Sequence, residues 1–122
     1  MDKILQRIRR PDVTFARNGK IFLAANVVHA LSLRPGDSIN IAFDKGECYL
    51  LAVPHVQNGR RYIAQCYASK RGTASFRANS TDLCRALLDF CNITSNVASF
   101  YVGEPATVEG ELCLPIIYKL PL

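Results

Sequence analysis

Residues 18–51 read NGKIFLAANVVHALSLRPGDSINIAFDKGECYLL, and this stretch decides the fold. Asn18-Gly19 is a pair typical of tight turns. Apolar residues alternate with other residues on both sides of the pair, at Val13 and Phe15 before it and at Ile21 and Leu23 after it. Alternation around such a turn predicts a β-hairpin with one buried side.

A short helix and two further strands follow this hairpin. Asn26 stands where a helix N-cap is expected, and residues 27–31 place apolar side chains at helical spacing over about two turns. The Arg-Pro-Gly-Asp sequence at 34–37 favours a turn. Residues 39–43 alternate as a strand, and residues 48–53 return as its partner after a second turn. Residues 11–53 therefore form one unit of strand, helix and strands.

The ends of this unit differ in character. Ile4, Leu5 and Ile8 have helical spacing until Pro11 interrupts it, so residues 1–10 are predicted to be a short helix or a loose basic arm. Residues 54–71 are predicted to connect the first unit to the rest through a loop and a strand.

The same order of elements recurs in residues 72–122. A strand at 73–78 precedes a helix whose N-cap is Asn79 or Ser80, and strands follow at 97–102 and 112–118. The helix carries Leu83, Leu87, Leu88 and Cys91 on one face and is about one turn longer than the first. Ala-Asn at the entry and Ala-Leu inside occur in both helical stretches. The repeated order predicts an internal duplication whose second copy is degenerate.

Size and composition indicate one soluble domain with a shared core. The chain has 122 residues, 49% of them hydrophobic and 20% charged. No apolar run is long enough to cross a membrane and the start lacks a secretory signal, so a cytoplasmic protein without a membrane partner is expected. The five cysteines contain no CxxC pair, which favours buried small residues over a disulfide framework or a metal site.

Positive charge is concentrated in two segments of the chain. The formal net charge is +5, and the cations gather in residues 1–20 and 57–85, whereas residues 21–56 and 86–122 are slightly acidic on balance. Such segregation can create a positive face that attracts nucleic acid. The alternative is that these are ordinary solvated charges that keep a small protein soluble.

The first unit resembles the swapped-hairpin domains of the AbrB, SpoVT and MazE type. The resemblance rests on a glycine and a basic residue, an alternating strand, a short helix ending in Leu-x-Leu, and then Gly-Asp before two strands. The matching residues are Gly19, Lys20, Ile21, Leu23, Leu31, Leu33, Gly36, Asp37, Ile39, Ile41 and Leu50. Two units in one chain are similar to the arrangement in MraZ.

The resemblance implies both a fold and a function. The fold is mainly β: a β-barrel with short helices, in which two β-α-β-β-like units exchange hairpins within one chain. The family typically binds DNA as a transcriptional regulator or an antitoxin. By position, Arg17 and Lys20 correspond to its basic hairpin residues. This sequence departs from the family where the helix usually opens with proline, here Ala24 or Ala25, and where the helix usually carries a basic pair, here Val28 and His29. Arg85 restores one cation on the second helix.

Residue types that would support catalysis are not arranged for it. His29 and His55 lack partners at metal-binding or relay spacing, and the serines lack a GxSxG setting. We therefore expect neither an enzyme nor a cofactor or metal site. Tyr62, Tyr67 and Tyr101 could stack nucleobases on an exposed sheet, but aromatic residues of strands more often fill a core.

The sequence thus leads to one principal functional hypothesis, a DNA-binding protein that contacts phosphates and bases of the double helix through a basic hairpin face. The predicted DNA-binding residues are Arg7, Arg9, Arg10, Arg17, Lys20, Arg60, Arg61, Lys70 and Arg71. The alternative is a protein-interaction or structural module that keeps the barrel but has lost DNA binding. A homo-oligomer or a protein partner such as a toxin is compatible with either hypothesis.

Overall fold

The computed structural model describes residues 10–53, 64–69 and 74–118. This part of the chain is mainly β, with short helices, as predicted. Its elements are β1 (Val13–Ala16), β2 (Lys20–Leu23), α1 (Ala25–Ala30), β3 (Ser38–Asp44), β4 (Glu47–Val53), β5 (Tyr67–Ala68), β6 (Phe76–Asn79), α2 (Thr81–Phe90), β7 (Val97–Val102), β8 (Ala106–Val108) and β9 (Glu111–Ile117).

The strands form one curled antiparallel sheet. Its order is β3-β4-β9-β7-β1-β2-β6-β5, with β8 paired to β9 beside this path. The two ends of the order approach each other, because Ser38 in β3 forms an antiparallel bridge with Gln65. Backbone bonds from Ile39 N to the Ala64 carbonyl, 3.0 Å, and from Cys66 N to the Asp37 carbonyl, 2.7 Å, strengthen this junction. The sheet therefore has the shape of a β-barrel, which removes most exposed edges.

Strands from residues 11–53 pair with strands from residues 72–122. β2 pairs with β6, and β4 pairs with β9, both antiparallel. In the second pair Leu50 lies opposite Leu114, and each is the fourth residue of its strand. β1 of the first unit pairs with β7 of the second rather than with a strand that follows α1. The units thus interlock, which lets one chain bury apolar faces that neither unit could bury alone.

Both helices end in the same way. Ser32 and Asn92 follow the last turns of α1 and α2 with φ values of 51° and 57°. The next residues donate back five positions, from Leu33 N to the Val28 carbonyl and from Ile93 N to the Leu88 carbonyl, at 3.0 and 2.9 Å. This Schellman pattern satisfies carbonyls that a helix end would leave open. The helices differ in length by four residues, confirming the predicted extra turn.

The β3–β4 and β8–β9 hairpins have the same type of turn. Lys45-Gly46 joins β3 to β4, and Glu109-Gly110 joins β8 to β9, with positive φ at all four residues. These are two-residue turns of the I′ kind, which match the twist of paired strands. The sequence patterns indicated strands at 97–102 and 112–118 only. The structure adds β8 between them, which pairs with β9 through the Glu109-Gly110 turn.

The start of α1 differs from the prediction. The helix is preceded by Ala24, which offers no side-chain cap, and Asn26 lies inside the helix. Asn26 instead donates its amide to one oxygen of buried Asp12, at 2.9 Å, and the other oxygen accepts from Val102 N at 2.8 Å. Asp12 thereby joins α1 to β7, because a buried carboxylate needs such donors. Ser80 caps α2 as predicted, by accepting from Leu83 N at 3.1 Å.

A single apolar core runs through both units. Its largest fully buried aliphatic and aromatic side chains come from β1, β2, α1, β4, α2, β7 and β9: Val13, Phe15, Leu23, Val27, Leu50, Leu87, Leu88, Phe100 and Leu114. Phe15 and Phe100 meet edge to face with ring centroids 6.0 Å apart, which favours aromatic pairing across the β1–β7 junction. Four of the five cysteines are buried and Cys91 is half-buried, all as free thiols.

Gly19 fixes how the first hairpin meets the second unit. Its φ is 101°, and a Cβ there would lie 2.6 Å from the Asn79 side-chain oxygen. Its carbonyl accepts from Ser80 N at 2.8 Å. Only glycine allows this approach, so the residue that suggested a turn in the sequence also lets the turn dock against the start of α2.

Candidate nucleic-acid interface

The structure describes only part of the predicted DNA-binding set. Arg10, Arg17 and Lys20 are among the described residues. The others lie outside them: Arg7, Arg9, Arg60, Arg61, Lys70 and Arg71.

Arg17 has a structural task. Its guanidinium donates to the Asp89 carboxylate at 3.2 Å, to the Ser95 carbonyl at 3.1 Å and, through the remaining nitrogen, to the Ile93 carbonyl. Its side chain is 27% exposed. Asp89 lies in the last turn of α2, and Ile93 and Ser95 come shortly after the helix. A cation at this end also interacts favourably with the helix dipole. Arg17 therefore links the first hairpin to α2, and each of its three guanidinium nitrogens donates a hydrogen bond.

Lys20 is free of this network. It is the first residue of β2, lies opposite Asn79 of β6, and is exposed. In the part of the chain that the structure describes, no carboxylate lies within ion-pair distance of Lys20. Its backbone carbonyl is 3.8 Å from the Cys84 sulfur, which places the start of β2 against α2. Arg85, the next residue of that helix, is exposed and adds positive charge near this edge.

The outward side of these strands carries a row of side chains in direct register. Phe22 on β2 lies opposite Arg77 on β6, and Arg77 lies opposite Tyr67 on β5. On the other side of Phe22 the row continues to Thr14 of β1, whose hydroxyl is 3.0 Å from that of Ser99. Opposite residues in antiparallel strands point to the same face. The row therefore forms one continuous surface.

We call this surface the β2–β6 face and define it by six outward residues. They are Thr14, Lys20, Phe22, Tyr67, Arg77 and Asn79. Their neighbours along each strand, such as Ile21 and Ala78, point inward and are buried. Strands β1, β2, β5 and β6 contain no acidic residue. The face thus combines two cations with two aromatic rings and carries no opposing charge of its own.

The aromatic rings of this face are open to solvent. Phe22 is 42% exposed and Tyr67 is 48% exposed. A strand that alternates with buried Ile21 and Leu23 would ordinarily turn a polar side chain outward at the position of Phe22. Exposed aromatic area beside a cation is typical of surfaces that bind ligands with a ring and a charge.

A second surface lies on the outward side of β4 and β9, and we call it the β4–β9 face. Tyr49, Leu51 and Cys113 form the floor of a shallow groove whose rim carries carboxylates. The rim residues are Asp44, Glu109 and Glu111. In the strand order, the β4–β9 and β2–β6 pairs are four steps apart, so the acidic and basic faces lie on opposite sides of the barrel.

The described residues include four buried cysteines and one exposed histidine. They contain no cluster of three or more His, Cys, Asp or Glu side chains close enough to hold a metal ion. Burial raises the pKa of Cys66 to about 12, and burial together with the neighbouring Cys91 raises the pKa of Cys48 to about 11. Such thiols stay protonated near neutral pH and are poor nucleophiles. His29 is exposed on α1, and His55 lies outside the described residues.

No helix in the described ranges is long and apolar enough to span a bilayer.

Two important residues of the β2–β6 face, Phe22 and Arg77, are missing from the predicted set. Strand alternation could have shown that each points outward, because Phe22 lies between Ile21 and Leu23 and Arg77 between Phe76 and Ala78. Nothing local could have shown that β2 pairs with β6, which is the contact that brings them together. The structure thus moves the described part of the candidate site from the hairpin tip to the sheet.

Comparison of this chain with models of protein families, with curated proteins and with solved structures gave no match. The resemblance to the AbrB type of domain therefore stays a prediction.

Proposed function

We propose that this protein binds DNA and that the β2–β6 face is the described part of its binding surface. The observation that supports this most is the cross-strand row that places Arg77 between Phe22 and Tyr67, with Lys20 on the same face. The strands that carry these cations contain no acidic residue. Such cations attract phosphates, and binding releases the counterions that surround nucleic acid.

The resemblance to the AbrB type of domain independently predicts DNA binding, in a regulator or antitoxin. The proposal differs from that expectation in its residues. Arg17 holds α2 instead of facing outward, and Arg77 on β6 takes its place as a phosphate contact beside Lys20.

Salt dependence of binding tests the proposal. The affinity of the chain for labelled DNA is measured by fluorescence anisotropy over a range of salt concentrations, with Lys20→Ala, Arg77→Ala and Lys45→Ala compared with the parent protein. Removing one cation that binds a phosphate should lower the slope of log affinity against log salt by about one. We expect this for Lys20→Ala and for Arg77→Ala.

Lys45→Ala is the matched control. Lys45 is an exposed cation at the tip of the β3–β4 hairpin, next to Asp44. Its removal should leave the slope unchanged. The proposal fails if no DNA is bound at low salt, or if Lys45→Ala weakens binding as much as Arg77→Ala.

The β4–β9 face favours a second candidate, the protein-interaction module. An apolar floor with a carboxylate rim is complementary to a segment that carries both lysines and apolar residues. We propose such a basic segment of a partner protein as its occupant. A synthetic lysine–leucine peptide should shift the amide NMR signals of Tyr49, Leu51 and Cys113, and Glu111→Lys should abolish those shifts. Shifts spread over the whole barrel, or none at all, would reject this candidate.

A further inference from the structure

We propose that the β2–β6 face binds the unpaired strand of DNA in preference to the double helix, by stacking bases on Phe22 and Tyr67 while Arg77 contacts the intervening phosphate. This inference rests on the proposed function and specifies the form of DNA that the same face would bind.

The spacing of the row carries the argument. Phe22 and Tyr67 lie two strands apart with Arg77 directly between them. Neighbouring strands are about 4.8 Å apart, so the two rings are separated by roughly 10 Å across the sheet. An extended single strand can place one base on each ring and the linking phosphate at the guanidinium.

The exposure of the rings favours bases over phosphates as their partners. A double helix presents its backbone and groove edges and keeps the faces of its bases stacked inside. An exposed aromatic ring gains little from such a surface, whereas it can stack on any base whose face is free. Phe22 has no polar group and therefore cannot hydrogen-bond a phosphate or a base edge. Its 42% exposure is explained by a stacked base and is left unexplained by backbone contacts alone.

The remaining residues of the face are suited to the same ligand. Lys20 and Asn79 lie opposite each other, on the same face as the row and further along the strands. Both residues can contact the nucleic-acid backbone next to the row. Thr14 adds a hydroxyl group on the strand beyond Phe22. A sheet that carries aromatic rings with cations beside them is the usual form of surface for single-stranded nucleic acid.

The experiment compares a labelled thymidine oligonucleotide, which forms no internal pairs, with a duplex of the same length. Anisotropy titrations give the affinity of the parent chain for both. We expect tighter binding of the single strand. Phe22→Ala and Tyr67→Ala should each weaken single-strand binding about ten-fold, within the range measured for removal of one stacked base. Their effect on the duplex should be small.

Two matched variants separate stacking from other effects. Tyr67→Phe keeps the ring and removes only the hydroxyl, so it should bind the single strand as the parent does. Phe90→Ala removes a ring that is 41% exposed but lies on α2 against Phe43, so it should also bind normally. Thermal unfolding of each variant checks that the barrel is intact.

A spectroscopic reporter gives a direct reading of the contact. The chain contains no tryptophan, so Phe22→Trp introduces a single indole at the face. Base stacking should quench its emission on addition of the thymidine oligonucleotide. The indole of Phe90→Trp should not be quenched.

The outcomes distinguish the two levels of the proposal. If the preference for the single strand disappears in Phe22→Ala and is kept in Tyr67→Phe, both the proposed DNA binding and the single-strand inference are supported. Equal or tighter duplex binding that is unchanged in Phe22→Ala overturns the inference while the proposed function stands. Binding of neither form overturns both.

Discussion

The β3–β4 and β8–β9 hairpins are built alike but are covered differently. Both turn through a residue and a glycine with positive φ, and they meet at Leu50 and Leu114. Near the tip of the first hairpin, Cys48 is buried and Phe43 stacks on Phe90, with centroids 4.4 Å apart. At the position in the second hairpin that corresponds to Cys48, Leu112 is 49% exposed.

The difference in cover follows from the lengths of the helices. α2 has ten residues and α1 has six, and the additional turn carries Phe90 over the first hairpin. α1 ends at Ala30 and carries no Phe, Tyr or Trp. One turn of helix thus changes the surface of an otherwise similar hairpin. Two hairpins with the same turn can thus expose different side chains.

The largest expected effect tests the common plan of the two units. Leu50→Ala and Leu114→Ala each remove a fully buried side chain where β4 and β9 pair, so each should lower the free energy of unfolding by about 2–5 kcal/mol. The two decreases should agree within about 1 kcal/mol, since the residues occupy equivalent positions in one pair. Urea denaturation gives both values. A difference of several kcal/mol would show that the two sides of this pair are packed unequally.

A smaller effect tests the link that only α2 has. Arg17→Ala removes donors to Asp89, Ser95 and Ile93 at the end of that helix, and should lower the free energy of unfolding by about 1–3 kcal/mol. Asp89→Ala breaks only the exposed ion pair and should cost less than about 1 kcal/mol. If Arg17→Ala instead left stability unchanged and abolished DNA binding, Arg17 would be a DNA contact as the sequence first suggested.

The smallest effects compare the starts of the helices. Ser80→Ala removes the side-chain cap of α2 and should cost about 1 kcal/mol, whereas Ala24→Ser can supply a cap that α1 lacks and should add up to about 1 kcal/mol. Thermal unfolding should therefore show a lower melting temperature for Ser80→Ala and a higher one for Ala24→Ser. A lower stability of Ala24→Ser would mean that the half-buried site before α1 cannot accept a hydroxyl.

The two faces show the same principle at the level of function. β2 pairs with β6 and β4 pairs with β9, each joining corresponding strands of the two units. One pair presents Lys20 and Arg77, and the other presents carboxylates around an apolar floor. The outward residues of the two pairs differ, while inward residues of both pairs, such as Ile21 and Leu50, are buried.

Local patterns predicted most elements of the fold. Alternation revealed the strands, glycine turns revealed the hairpins, and the spacing of leucines revealed α2. Errors occurred where a tertiary contact outweighed a local preference. Asn26 was predicted to cap α1 but hydrogen-bonds buried Asp12, and residues 106–108 form β8 because they can pair with β9. For the candidate site, residue type alone could not reveal that Arg17 hydrogen-bonds Asp89, Ser95 and Ile93.

The sequence by itself determined which residues turn inward, where most helices and strands lie, and that cations outnumber carboxylates. These properties depend on residue types and on neighbours within a few positions along the chain. Only the tertiary structure decided that Phe22 lies beside Arg77, because β2 and β6 are far apart in the chain. The pairing of Arg77 with Tyr67 is local, since β5 and β6 are consecutive strands. Side-chain type sets what a residue can do, and strand pairing sets which residues act together.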